Sequence, residues 1–119
     1  MNATDAIKLF VQKVVVSEKQ ERYTGFVESK KNRQKFLDTL DHALPIDSSK
    51  AIRSLSDIEW RSPAFLYSSD GTFGMEFSGL KDCYDQASPY GGWLILSQTG
   101  NVAIFRPEGK IDAELYFRL

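Results

Sequence analysis

Four cations fall within six positions, Lys30, Lys31, Arg33 and Lys35, and the one histidine of the chain, His42, follows on the same stretch, KKNRQKFLDTLDHAL. At the start of a helix, free backbone N–H groups and the helix dipole also favour an anion. Such a cluster can therefore dock a phosphate, a nucleic acid or an acidic partner. The plainer alternative is a solvated helix face, with Arg33 laying its stem over the edge of the core. Cations at a helix start each cost roughly a few tenths of a kcal/mol, which an anionic partner would offset. No glycine-rich phosphate loop accompanies the cluster.

His42 could act as a general acid or base, with Asp38 four residues earlier to orient it and Asp41 adjacent. A histidine at a helix end also interacts favourably with the C-terminal dipole, and that role needs nothing further. No serine sits in a G-x-S-x-G context. Cys83 falls on an apolar stripe, where a thiol behaves as a small hydrophobe; a nucleophile would need exposure and a neighbouring cation. One histidine and one cysteine cannot supply a zinc site, and the carboxylates lack the spacing of a calcium loop. No metal or cofactor is expected.

The aromatic residues form the second candidate set. Phe65, Tyr67 and Tyr116 fall on the sheet face opposite the one assigned below to the core, and Tyr90 and Trp93 flank Gly91-Gly92. If helices cover only one face, these rings stand in water, and exposed aromatic clusters mark binding surfaces. If the N-terminal helices wrap that face, they are core. Aromatics on a sheet could also stack RNA bases, but the K/R-G-F/Y-G/A-F run of the common RNA-binding sheet is absent.

The elements that must position these residues change character along the chain. Thr4 and Asp5 start a predicted helix, and Ile7, Phe10, Val11, Val14 and Val15 recur on one helical face. Ser17 with Gln20 suggests a second start, burying Tyr23, Phe26 and Val27. Arg33, Phe36, Leu37, Leu40 and Leu44 share the apolar side of the basic stretch, which Pro45 ends. Asp47 or Ser48 would cap a short helix reaching Leu55. From Ile58 the period falls to two. Asp70-Gly71 predicts a two-residue type I′ turn that pairs Ser68 with Phe73, Tyr67 with Gly74 and Leu66 with Met75. The core face then reads Ala64, Leu66, Ser68, Phe73, Met75 and Phe77. A short helix over 79–87, a second hairpin of WLILS and VAIF, and a final strand ending the chain complete the reading. Apolar residues on both sides of WLIL mark a central strand.

The expectation is an α+β domain spanning residues 1–119, helical over 1–55. Its N-terminal helices pack on one face of a four- to five-stranded, mainly antiparallel sheet formed by 58–119. At 13.5 kDa its folded surface should be roughly 6,500 Å². Formal net charge is −1, yet residues 1–61 hold 11 Lys and Arg against 9 Asp and Glu, while 62–119 hold 4 against 7. No charged apolar leader opens the chain and no apolar run approaches the roughly 20 residues that cross a bilayer, so a cytosolic setting is expected. The reading that follows is a non-enzymatic interaction module, adaptor or immunity-type, contacting a protein through Phe65, Tyr67, Tyr90, Trp93 and Tyr116. Homo-oligomerisation is compatible with it. The alternative is phosphate or nucleic-acid binding through residues 30–35.

Overall fold

Helices come first and antiparallel strands later in the computed structural model, which describes residues 1–44, 51–52, 54–109 and 114–119. Helix α1 spans Ala3–Val14, α2 Gln20–Glu28 and α3 Arg33–Thr39. Strand β1 is Ala51–Ile52, followed by α4 at Asp57–Arg61, β2 at Ala64–Ser68 and β3 at Phe73–Phe77. Helix α5 at Leu80–Gln86, then β4 at Trp93–Ser97, β5 at Val102–Arg106 and β6 at Leu115–Arg118 complete the order. Single 3₁₀ turns precede α2 and α3 and follow α3. Every strand pair is antiparallel, in the order β1-β6-β5-β4-β2-β3, and WLIL lies centrally as β4. The α+β class is as expected. The accessible surface is 6802 Å². No helix among the described residues is long and apolar enough to cross a membrane.

Local chemistry explains most boundaries. The first helix begins two residues earlier than expected, because the Asn2 side chain, not Thr4, accepts the Asp5 N–H at 2.8 Å. The Asp47 and Ser48 caps lie outside the described residues, but Ala51–Ile52 is strand rather than helix, pairing with Phe117 and Tyr116 of β6. Residues 57–61 are helical where a strand period was expected. A reciprocal capping box decides this: Glu59 N–H donates to the Ser56 hydroxyl at 3.2 Å and Ser56 N–H to Glu59 Oε1 at 2.9 Å.

The hairpin departs from the predicted turn in an instructive way. Asp70 does not take positive φ. A three-residue loop forms instead, with Gly71 at φ +103° and Ser68 N–H donating to Thr72 O at 2.9 Å. Asp70 Oδ1 accepts from Thr72 N–H at 3.0 Å and from the Ser68 hydroxyl, contacts that hold its carboxyl below the usual range. The shift of one residue at the tip is taken up by a bulge at Gly74, φ +74°. Tyr67 therefore pairs with Phe73, while Leu66–Met75 and Ala64–Phe77 keep the expected register. Phe73 moves to the face carrying Phe65 and Tyr67, and Met75, on the edge strand, is 54% exposed.

Both sheet faces are covered. Helices α1 to α3 pack on Phe65, Tyr67, Leu94, Leu96, Ala103, Phe105 and Phe117. Short helices α4 and α5 cover Ala64, Leu66, Trp93, Ile95, Val102 and Ile104 with Leu80, Cys83 and Trp60. The N-terminal helices thus sit on the face expected to be open. Phe65 and Tyr67 are each 1% exposed and are core, so Phe65→Ala should cost about 3–5 kcal/mol in urea unfolding instead of leaving the fold untouched.

Glu59 also ties α4 to the end of the sheet, accepting from Arg118 at 3.0 and 2.7 Å. The Arg118 hydrogen bonds, then the Ser56 N–H, lower its carboxyl to about 2. The folded state therefore binds this proton less readily than the unfolded chain. The stabilisation is present above the ordinary carboxylate pKa and is lost as pH falls from there toward about 2. Arg118 is more than half exposed, which keeps the contribution near 1 kcal/mol. Glu59→Gln should lose about that much at pH 7 and match the parent protein near pH 2, as read by denaturant titration at both pH values.

Candidate binding cleft

Residues 30–35 lie in the turn between α2 and α3. Ser29 takes extended backbone after α2, and the 3₁₀ turn Lys30–Asn32 leads into α3. The turn is pinned from the core side. Tyr23 packs edge-to-face on Phe36 with centroids 5.5 Å apart, and its hydroxyl meets Thr39 O and Oγ1 at 2.9 and 2.7 Å. Arg33 Nε donates to Val27 O at 3.0 Å, satisfying a carbonyl left open by the end of α2. Its guanidinium carbon lies 3.9 Å from the centroid of Phe73, a cation–π contact. Phe73 in turn stands edge-to-face on Tyr67 at 5.1 Å, and the Tyr67 hydroxyl donates to Ala3 O. Burial raises the Tyr67 hydroxyl's pKa, so it stays a donor at any ordinary pH.

Between this turn and the hairpin tip opens a cleft of about 280 Å³. Ile7, Val27, Phe36, Leu37 and Phe73 give it apolar walls; Ser68 and Thr72 lie toward the tip; Lys30, Lys31 and Arg33 line it as cations, and among the described residues no carboxylate does. Lys35 is exposed but does not line the cleft. Among the described residues Lys30, Lys31 and Lys35 have no ion pair. On the other side of Gln34 and Leu37 lies a groove of about 600 Å³ lined by the carboxylates Asp38, Asp41, Asp70 and Glu108 and, among the described residues, by no lysine or arginine.

The expected aromatic surface is not assembled. Phe65 and Tyr67 belong to the core under α1 to α3, and Trp93 to the opposite core, its Nε1–H donating to Ser88 O at 2.8 Å. Tyr116 is half-buried against Trp60, and its hydroxyl donates to Glu114 at 3.1 Å. Glu114 also accepts from Tyr84 and pairs with Arg106, whose guanidinium lies over Trp93. Tyr90 alone of the five stands in solvent, at 73% exposure. Tyr67 is the one of these five rings that reaches the cleft, as part of its wall beside Phe36 and Phe73.

The cleft joins two stretches that lie apart in the sequence, and no sequence pattern marks Phe73, Ile7 and Val27 as its lining. The bulge at Gly74 brought Phe73 there, and no pattern of period two announces a bulge. His42 is exposed beside Asp41 at 3.7 Å, and its backbone carbonyl accepts from Lys19 Nζ at 2.9 Å. Cys83 is wholly buried, its thiol pushed up to about 12 by desolvation. Among the described residues no group of three or more His, Cys, Asp or Glu side chains could hold a metal ion. Comparison with protein-family models, with curated proteins and with solved structures returned no match.

The cations differ in commitment, and stability should reveal it. Arg33→Lys loses the fork that reaches Val27 O and the planar stack on Phe73, and should cost about 1–2 kcal/mol. Lys31→Ala should stay within about 0.5 kcal/mol of the parent protein in the same urea titration.

Proposed function

We propose that this chain is a non-enzymatic interaction module, an adaptor or immunity-type protein, and that the cleft between residues 30–34 and the β2–β3 hairpin is where it grips a protein partner. The observation that carries the reading is an apolar cleft lined by three cations, two of them lysines with no ion pair among the described residues. A partner segment with an acidic residue next to an apolar one fits both features. The apolar side chain enters the cleft and the neighbouring carboxylate meets Lys30 or Lys31.

Size favours a side chain over a metabolite. At about 280 Å³ the cleft is at the small end of the roughly 300–1,000 Å³ range of small-molecule pockets, a size that one or two side chains fill. Charge favours a protein over a nucleic acid. The adjacent groove presents Asp38, Asp70 and Glu108, carboxylates that would repel a strand of phosphates running past the lysines. A phosphate or nucleic acid held through residues 30–35 is the second reading, supported by the cations alone. Neither reading asks for reactive groups, and the two best candidates are turned to other ends: Cys83 is buried and His42 stands away from the cleft lining.

Immobilised protein should retain a partner from host lysate at low salt and release it at about 1 M salt, where the Debye length is about 3 Å. Lys30→Glu/Lys31→Glu should retain at least about tenfold less of it, and the purified partner should reproduce both results. Equal retention by both proteins would remove the cleft from the interface. Salt-sensitive binding of a labelled RNA or DNA oligomer, lost in the double variant, would select the second reading.

A further inference from the structure

We infer that the chain pairs with a second copy of itself, the basic cleft of one protomer lying over the acidic groove of its partner. The inference goes beyond the cleft's role toward another protein and does not depend on it. The observation is that two surfaces of opposite charge abut on one face. Among the described residues, one is lined by Lys30, Lys31 and Arg33 with no carboxylate and the other by Asp38, Asp70 and Glu108 with no cation, and both share Gln34 and Leu37.

A surface of this kind is complementary to itself. Rotating a copy by half a turn about an axis near Gln34 and Leu37 brings each cleft onto the opposite groove. The charge contact then forms twice, as an isologous interface requires. The formal net charge of −1 leaves little overall repulsion to oppose the approach. Lys31 and Asp38 are both exposed, so meeting a partner demands no rearrangement of the core. An interface made mainly of exposed charges is weak and responds steeply to salt. It also occupies the lysines, so a second copy and any other acidic partner would compete for them.

Sedimentation velocity on the full chain tests the pairing. At about 10 mM ionic strength, where the Debye length is about 30 Å, a concentration-dependent dimer is expected; at about 1 M salt it should dissociate. Lys31→Glu and Asp38→Lys should each weaken the dimer at least about tenfold, since every such change acts twice in the symmetric complex. Mixing the two variants should restore it. Glu at position 31 of one chain then faces Lys at position 38 of the other, and the reciprocal contact remains native. Recovery on mixing also shows that both variants are folded. A monomer at every salt concentration, a dimer that survives both variants, or no recovery on mixing would each overturn the inference.

Discussion

At Gly74 the chain comes so close to the start of α1 that a side-chain β-carbon there would collide with that of Ala3. The left-handed backbone at this position, φ +74°, suits glycine and little else. The bulge it permits turns Phe73 from the α5 side of the sheet to the α1 side, next to Tyr67. Phe73 then offers its ring to Arg33, and Arg33 reaches back to the last buried turn of α2. The cleft is the space left where this chain of contacts joins a helical turn to a hairpin tip. Without the bulge, the wall that Phe73 supplies would face the opposite core.

Burial on both faces explains why the sheet's rings are unavailable to a partner. Each central strand alternates between two cores. Leu94 and Leu96 of β4 point to α1–α3, while Trp93 and Ile95 point to α4 and α5. A sheet in this position has no wet face to spare, and its strands read as continuous apolar runs. The proposed recognition is left to the edges and to the loops at the strand ends, where side chains can be exposed without opening a core. The basic turn and the hairpin tip are both in that category.

Much of this was legible. The apolar stripe of α1, the antiparallel hairpins, the central place of WLIL and the helix near residue 80 all follow from periodicity and turn residues. Two further signals lie in the sequence. AFLY is apolar at four consecutive positions, the same mark that identified WLIL as a strand covered twice, and it implied that Phe65 and Tyr67 would be buried. Ser56 followed by Glu59 is a capping box, and it competes locally with the strand period that follows. The bulge was a different matter. The Asp-Gly pair is compatible with a two-residue or a three-residue loop, and the choice rests on a tertiary contact between Gly74 and Ala3, 71 positions away in the chain. The cleft inherited that uncertainty, since half its wall depends on the register at the tip.

The four cations of the opening stretch, alike in type, divide by what the fold asks of them. Arg33 is bound into the structure by its Nε hydrogen bond and its stack on Phe73, and guanidinium geometry suits both contacts at once. Lys30, Lys31 and Lys35 are exposed and make no ion pair among the described residues, so they add nothing of that kind to stability. Packing them at the start of α3 is mildly unfavourable, by roughly a few tenths of a kcal/mol each. A cost of that size is easily carried by a domain with two cores. It is also easily reversed by a single well-placed carboxylate, from a partner or from another copy of the chain. Association of the proposed kind would draw on charge that folding leaves unused, and the lysines can be exchanged without disturbing the scaffold that presents them.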